Sequence, residues 1–306
     1  MARVPWSARP PDLESVRGGL RIFPIVTDAF LPVLQAHLAD RYRLHGEVMR
    51  GGMARVYRAD DLVRGGEVAI KVLRPELAAA LGHGRFLQEI RILARLHHPN
   101  ILPLLDSREG GGSIYYVTPY IAGASLQRRL AREGPLSLDE IVRIGRDVAA
   151  ALDHAHGSEV IHRDVKPGNI LLGDDRALVC DFGIARAVEM AGGDRLASSS
   201  GFALGTPAYM SPEQAMGGAI DFRCDVYGLG CVLYEMLTGE PPFPGPTAQA
   251  VLARSLAGEF RPVRTVRPDI PAAAETAIRS ALASDPRRRP QTAAALVQRL
   301  AEPDRS

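Results

Sequence analysis

The chain has 306 residues, 37 basic and 35 acidic, and a net charge of +2, so neither nucleic acid nor an anionic membrane surface is an expected partner. Its three cysteines, Cys180, Cys224 and Cys231, have no metal-ligand spacing and read as free thiols in a reducing compartment. No apolar run reaches the length of a membrane span and residues 1–11 lack the apolar core of a secretory signal, so a soluble, cytoplasmic protein is expected.

Residues 1–26 are rich in Arg, Pro and Gly without periodicity and read as a mobile arm. Phe30, Leu31, Leu34 and Leu38 form the stripe of an amphipathic helix over 28–38. Residues 41–72 alternate Val and Tyr with polar side chains, and turns at Gly51-Gly52 and Gly65-Gly66 divide them into three strands. A helix ending in Arg85–Leu96 follows, broken at His98-Pro99. Two further strands are predicted around 101–107 and 114–120, parted by Gly110–Gly112. After Gly123 the pattern turns helical. Ser137 and Glu140 have the spacing of a capping box, opening a helix that runs to about His156. Short strands flank Gly173–Asp175, a Ser-, Gly- and Ala-rich loop spans 187–205, and the rest, to Leu300, reads as helices with Pro-rich connections.

The string His162-Arg163-Asp164-Val165-Lys166-Pro167-Gly168-Asn169 puts a carboxylate, an ammonium and an amide on one short loop between apolar anchors, and Asp181-Phe182-Gly183 follows. That set suits phosphoryl transfer. Asp164 would orient an attacking hydroxyl and accept its proton, and Lys166 would neutralise the moving phosphate. Asn169 and Asp181 would hold Mg²⁺ through oxygen. Composition sharpens the reading: the only lysines are Lys71 and Lys166, and the only asparagines Asn100 and Asn169. In so arginine-rich a chain, a surviving lysine marks a place where a compact point charge is needed rather than a planar fork.

From about Arg41 to Leu300 the chain resembles the eukaryotic-like (Hanks-type) Ser/Thr protein kinases of bacteria. The resemblance implies an α+β, two-lobed kinase fold, with a small antiparallel-sheet N-lobe carrying one main helix and a larger, mostly helical C-lobe. It divides the chain into an N-terminal extension at 1–40 (mobile arm plus amphipathic helix), an N-lobe at 41–121, a C-lobe at 122–302 and a tail at 303–306. Asp164, Lys166 and Asn169 are then catalytic, and Asn169 and Asp181 hold the metal. Lys71, in Val68-Ala69-Ile70-Lys71, grips the α- and β-phosphates and pairs with Glu89. Val56, Ala69 and Leu171 sandwich adenine, with Val48, Met49, Gly51, Thr118 and Tyr120 as further nucleotide contacts. Glu213 pairs with Arg289, and Asp225 supports the catalytic loop. Lys166 and Thr206 mark the Ser/Thr branch, with Thr206 contacting Asp164 and Lys166. Arg163 reads a phosphate placed on Ser198 or Ser200. The resemblance further implies ATP with Mg²⁺ (or Mn²⁺), protein substrates, kinase–kinase pairing for trans-autophosphorylation, no nucleic acid and no membrane span.

One segment departs from the family. Its G-x-G-x-x-G loop is here Met49-Arg50-Gly51-Gly52-Met53-Ala54. A methionine where glycine bends the loop is expected to cost about 1 kcal/mol in nucleotide binding. This erosion favours a rival reading, a pseudokinase scaffold. A second rival, a small-molecule kinase of related fold, is disfavoured by Gly205–Glu213. Cys180, beside Asp181, is expected to border the ATP site, with its thiolate favoured by Lys71.

Overall fold

The computed structural model describes residues 30–74, 77–78, 83–110, 113–188 and 206–303. Five strands, β1 (Tyr42–Arg50), β2 (Ala54–Asp61), β3 (Glu67–Leu73), β4 (Asp106–Gly110) and β5 (Ser113–Pro119), form an antiparallel sheet in the order β1-β2-β3-β5-β4. Alternation along β3 gives the sheet two apolar faces. Val68, Ile70 and Val72 join Tyr57, Ala59, Tyr115 and Val117 in a buried cluster on one side. Helix α1 (Phe30–Leu38) closes that cluster with Leu34 and Leu38. A nine-residue helix is marginal alone; burying these leucines, each worth roughly 1.5–3 kcal/mol, holds it in place. Gln35 fixes its register, accepting from the Leu44 N–H at 2.8 Å and donating to the Tyr42 carbonyl at 3.1 Å.

The opposite face carries Ala69 and Lys71. Ala69 is in register with Thr118 on β5, and Lys71 stands between Val56 on β2 and Tyr116 on β5. Helix α2 (His83–Leu93) packs here through Phe86 and Ile90. The strand expected at 101–107 begins later, at Asp106. Pro103 has no N–H to give, and Ile101 and Leu102 turn instead to Val179 of the other lobe, Leu102 N donating to its carbonyl at 2.9 Å.

Beyond β5 the chain is mostly helical: α3 (Leu126–Glu133), α4 (Leu138–Gly157), α5 (Ile184–Val188), α6 (Pro212–Ala215), α7 (Arg223–Thr238), α8 (Ala248–Ala257), α9 (Val263–Val266), α10 (Ala272–Ala281) and α11 (Ala293–Leu300), with a β6 (Ile170–Leu172)/β7 (Ala177–Val179) hairpin. Helix α7 is buried on every side and forms the axis on which α4, α10 and α11 pack. Gly123 lets the chain enter this lobe against the hairpin: a Cβ there would lie 1.9 Å from the Leu172 carbonyl oxygen. Ser137 caps α4 by accepting from Glu140 N, but the reciprocal half of the expected box is not formed, because the Glu140 carboxylate pairs with Arg129 at 2.6 Å. A complete capping box opens α6 instead, between Ser211 and Gln214. Among the described residues no helix is long and apolar enough to cross a membrane.

Candidate active site

The catalytic loop leaves α4 and reaches β6 through a 3₁₀ turn at Pro167–Asn169. Its backbone is bent where side chains resist bending: Arg163 has φ 67°. Non-glycine residues in this region cost on the order of 1–3 kcal/mol. Asp225, 1% exposed on α7, stabilises the bend by accepting from the backbone N–H groups of His162 and Arg163 at 2.8 Å each. His156 Nε2 lies 2.8 Å from the same carboxylate, a structural role for a histidine at a helix end. Gln214 Nε2 donates to the Arg163 carbonyl at 2.8 Å, tying the loop to α6.

His162 is fully buried. Its Nε2 is 2.9 Å from the Cys180 carbonyl, which can only accept, so Nε2 carries the proton and Nδ1 accepts from Asp164 N at 3.2 Å. Through this ring the Asp164 loop and the Asp181 turn are locked together. Phe182 adds to the lock, its ring centroid 4.6 Å from that of His162. Asp164 Oδ2 receives Lys166 Nζ at 2.6 Å and Asn169 Nδ2 at 3.1 Å, while Nδ2 also donates to the Asp164 carbonyl at 2.8 Å. Asp164, Lys166 and Asn169 thus form one hydrogen-bonded set.

The N-lobe half of the site is arranged otherwise. Lys71 Nζ sits 2.5 Å from Asp181 Oδ1, and the expected Lys71–Glu89 pair is not formed. Glu89 faces Arg186 Nε at 3.8 Å. The cause is α5, which follows directly on Asp181-Phe182-Gly183. Its Ile184, Ala187 and Val188 are buried in the same cluster as Phe86 and Ile90 of α2, and this packing sets Arg186 opposite Glu89. Gly183 makes the turn at φ 58°, a conformation that other residues rarely adopt, and a Cβ there would press on Leu93 Cδ2 at 2.8 Å.

Burial alone would raise the Asp181 carboxyl, but the charge and hydrogen bond of Lys71 outweigh it and hold the group below the ordinary range. Burial likewise opposes the Lys71 charge, and Asp181 overcomes it, keeping the ammonium protonated. Tyr116, which no motif singled out, also donates to Asp181 Oδ1, at 3.1 Å. Both donors fall on Oδ1 rather than Oδ2, and Asn169 Oδ1 accepts no hydrogen bond from the described residues. Two oxygens in one site suit a hard divalent cation, so the donor set fits Mg²⁺.

Several expectations are revised. Cys180 is 3% exposed, and burial pushes its thiol up to about 12 despite Lys71, so it is an inert thiol rather than a reactive one. Met49 lies in β1 opposite Val56, 45% exposed and outside the positive-φ residues, so it carries no backbone strain. Gly51 also has an ordinary φ and closes the hairpin by donating to the Ala54 carbonyl at 2.9 Å. Val48 is exposed on β1, and Leu171 lies on β6. Tyr120 follows β5, its N–H held by the Glu67 carbonyl at 3.0 Å. Thr206 is exposed, and Lys166 bonds to Asp164 without it. Ser198 and Ser200 lie outside the described residues.

Behind the site, Arg289 is 3% exposed and grips Glu213 bidentately at 2.7 Å. Its remaining N–H groups reach the carbonyls of Ala283, Arg223 and Ser284, and its guanidinium lies over Tyr227. Tyr209 donates to Glu235 at 2.5 Å, anchoring the segment after Thr206 to α7.

Comparison with known proteins agrees with this geometry. The family model of the protein kinase domain matches residues 42–300. Serine/threonine-protein kinase PknB of Mycobacterium tuberculosis is 40% identical over 266 residues, 85% of this chain and 42% of PknB. The DNA damage-responsive serine/threonine-protein kinase RqkA of Deinococcus radiodurans is 40% identical over 264 residues, 85% of this chain and 39% of RqkA. The chain therefore spans about two-fifths of the length of these curated relatives. Among solved structures, the Mycobacterium tuberculosis PknI kinase domain superposes with a TM-score of 0.68 at 28% identity, covering 85% of this chain and 94% of that one. Rad53 1–466 in complex with AMP-PNP gives a TM-score of 0.71 at 25% identity, covering 89% of this chain and 69% of that one. A family match over residues 42–300, joined to a catalytic loop built in this way, makes the chain a member of the protein kinase domain family: a Hanks-type serine/threonine-protein kinase catalytic domain of the bacterial kind.

Proposed function

We propose that the chain is an active enzyme, transferring the γ-phosphate of ATP to Ser and Thr hydroxyls of protein substrates with Mg²⁺, and that the conformer described is its resting form. The observation carrying this reading is the Asp164 carboxylate, held by Lys166 and Asn169 on a loop anchored to Asp225. Asp164 accepts the proton of the attacking hydroxyl. Lys166, 2.6 Å from that carboxylate, is near enough to share its charge with the phosphate in transit. Asn169 and Asp181 would hold the metal, which when bound offsets the charge of the phosphate oxygens. Val56, Ala69, Thr118, Tyr120 and Leu171 surround the adenine, with Val48, Met49 and Gly51 above it.

In the working form Lys71 exchanges Asp181 for Glu89 and the nucleotide phosphates. That exchange requires α5 to leave the space between α2 and the sheet, which frees Glu89 from Arg186. Phosphate on Ser198 or Ser200, read by Arg163, supplies a charge-assisted anchor that pulls the segment away. A transient pairing of two copies delivers that phosphate in trans. The setting is the cytoplasm, where ATP and protein substrates meet.

Incubating the purified chain with Mg-ATP and myelin basic protein, then mapping phosphosites, tests the reading. Phosphoserine and phosphothreonine on the acceptor, with Ser198 or Ser200 modified on the chain, are expected. No transfer, alongside retained nucleotide binding, would leave a scaffold in place of an enzyme.

A further inference from the structure

Tyr116 has no role in the chemistry above, yet its hydroxyl is aimed at the centre of the site. The side chain is 4% exposed. It stands in register with Lys71 across β3 and β5, and Lys71 Nζ lies 5.7 Å from its ring centroid, within reach of a cation–π interaction. Both groups donate to one atom, Asp181 Oδ1, the lysine at 2.5 Å and the phenol at 3.1 Å. A carboxylate oxygen offers two lone pairs, and here both are in use.

We propose that Tyr116 is a positioning residue for Asp181: its hydroxyl, acting with Lys71, holds Oδ1 while Glu89 is turned away, so that the carboxylate has to break that hold before it can turn toward a divalent cation. The inference rests on the metal-holding role proposed for Asp181. Physically, the clamp maintains itself. A buried hydroxyl that loses its partner costs more than an exposed one, so moving Asp181 toward a metal strands the phenol. Phenylalanine would fill the same volume on β5 and exert no such hold. The hydroxyl, rather than the ring, is therefore the element to remove.

The test is Mn²⁺ binding to the full chain after phosphatase treatment, followed by electron paramagnetic resonance with ADP present, so that no transfer takes place. Tyr116→Phe is expected to lower the half-saturating Mn²⁺ concentration about fivefold, the usual worth of one net hydrogen bond. Its metal-free ADP affinity and thermal unfolding midpoint should stay close to wild type. If the Phe variant does not fold, Tyr116→Met provides the same measurement, since Met adapts to an irregular space and offers no donor. Wild-type binding that neither variant strengthens overturns the role of Tyr116 alone. Absence of Mn²⁺ binding by the wild type removes the metal role of Asp181, and the proposal with it.

Discussion

The two halves of the cleft are built to different standards of order. On the C-lobe side the catalytic loop is braced at several points: Asp225 holds the bent backbone, His162 spans to Cys180, and Lys166 and Asn169 converge on Asp164. On the N-lobe side the same kinds of group are paired with different neighbours, Lys71 with Asp181 and Glu89 with Arg186. The first half is rooted in α7, which is buried all round. The second depends on a five-residue helix lodged beside α2. Groups mounted on a buried axis keep their geometry; groups mounted on a short, removable element can be exchanged. On the proposed function, chemistry belongs to the first half of the cleft and control to the second.

The largest effect should come from breaking the rigid half. Arg289→Ala strands a buried Glu213, and a broken buried pair costs about 3–5 kcal/mol, measurable by chemical denaturation. Acid supplies the sign. Burial favours the neutral Glu213, but Arg289 outweighs it and holds the carboxyl below its ordinary range. The stability this contributes is complete above the unfolded-state carboxylate pKa, about 4.3, and is lost as pH falls through the lower folded value. The wild type should therefore lose stability toward pH 3 and the variant less, so the gap between them narrows in acid. A gap independent of pH would mean that the guanidinium acts by packing alone.

Asp164→Asn sharpens the same side chemically. The fold should survive, and turnover should drop at least about a hundredfold, because the amide cannot take the proton; a near-normal rate would remove the assigned role. On the other side, Arg186→Ala releases Glu89 without touching nucleotide or acceptor. An exposed ion pair is worth about 1 kcal/mol or less, so phosphate-free protein should gain up to about fivefold in turnover. An unchanged rate would place control in the burial of Ile184, Ala187 and Val188 rather than in the ion pair. Met49→Gly should do least. With no strain to relieve, KM for ATP should change by less than about twofold, and a large fall would show that the extended conformation of Met49 does not persist with nucleotide bound.

Much of the rigid half was legible in the sequence because its chemistry is local. Asp164, Lys166 and Asn169 fall within six residues, and a lysine-poor chain advertises the lysines it keeps. The fold was legible too, because Val-Ala-Ile-Lys on β3 alternates between two faces and the stretch Val226–Leu233 on α7 carries no charge. The pairing of the other half was not. Lys71 and Asp181 are 110 residues apart, and which acid the lysine meets depends on where α5 packs, a competition that no spacing encodes. Tyr116 escaped for a related reason. Two residues before Thr118 on β5 it shares the cleft face, but its opposition to Lys71 becomes visible only once the strand register is known. The strand misplaced at 101–107 shows the same limit, since the apolar run there serves contacts with the other lobe.

Helix α1 has a consequence for where this protein can be cut. The kinase family match begins at residue 42, after the helix has ended. Yet Leu34 and Leu38 cover Tyr42, Tyr57 and Ile70, and Gln35 occupies hydrogen-bonding groups on β1, an outer strand of the sheet. Trimming to the boundary that similarity suggests would leave an apolar sheet face and part of an unpaired strand edge open to solvent, the combination that drives strands of separate molecules to join. A fragment that keeps this face and edge covered should thus retain α1 from Phe30, so the family match and the packed unit have different first residues.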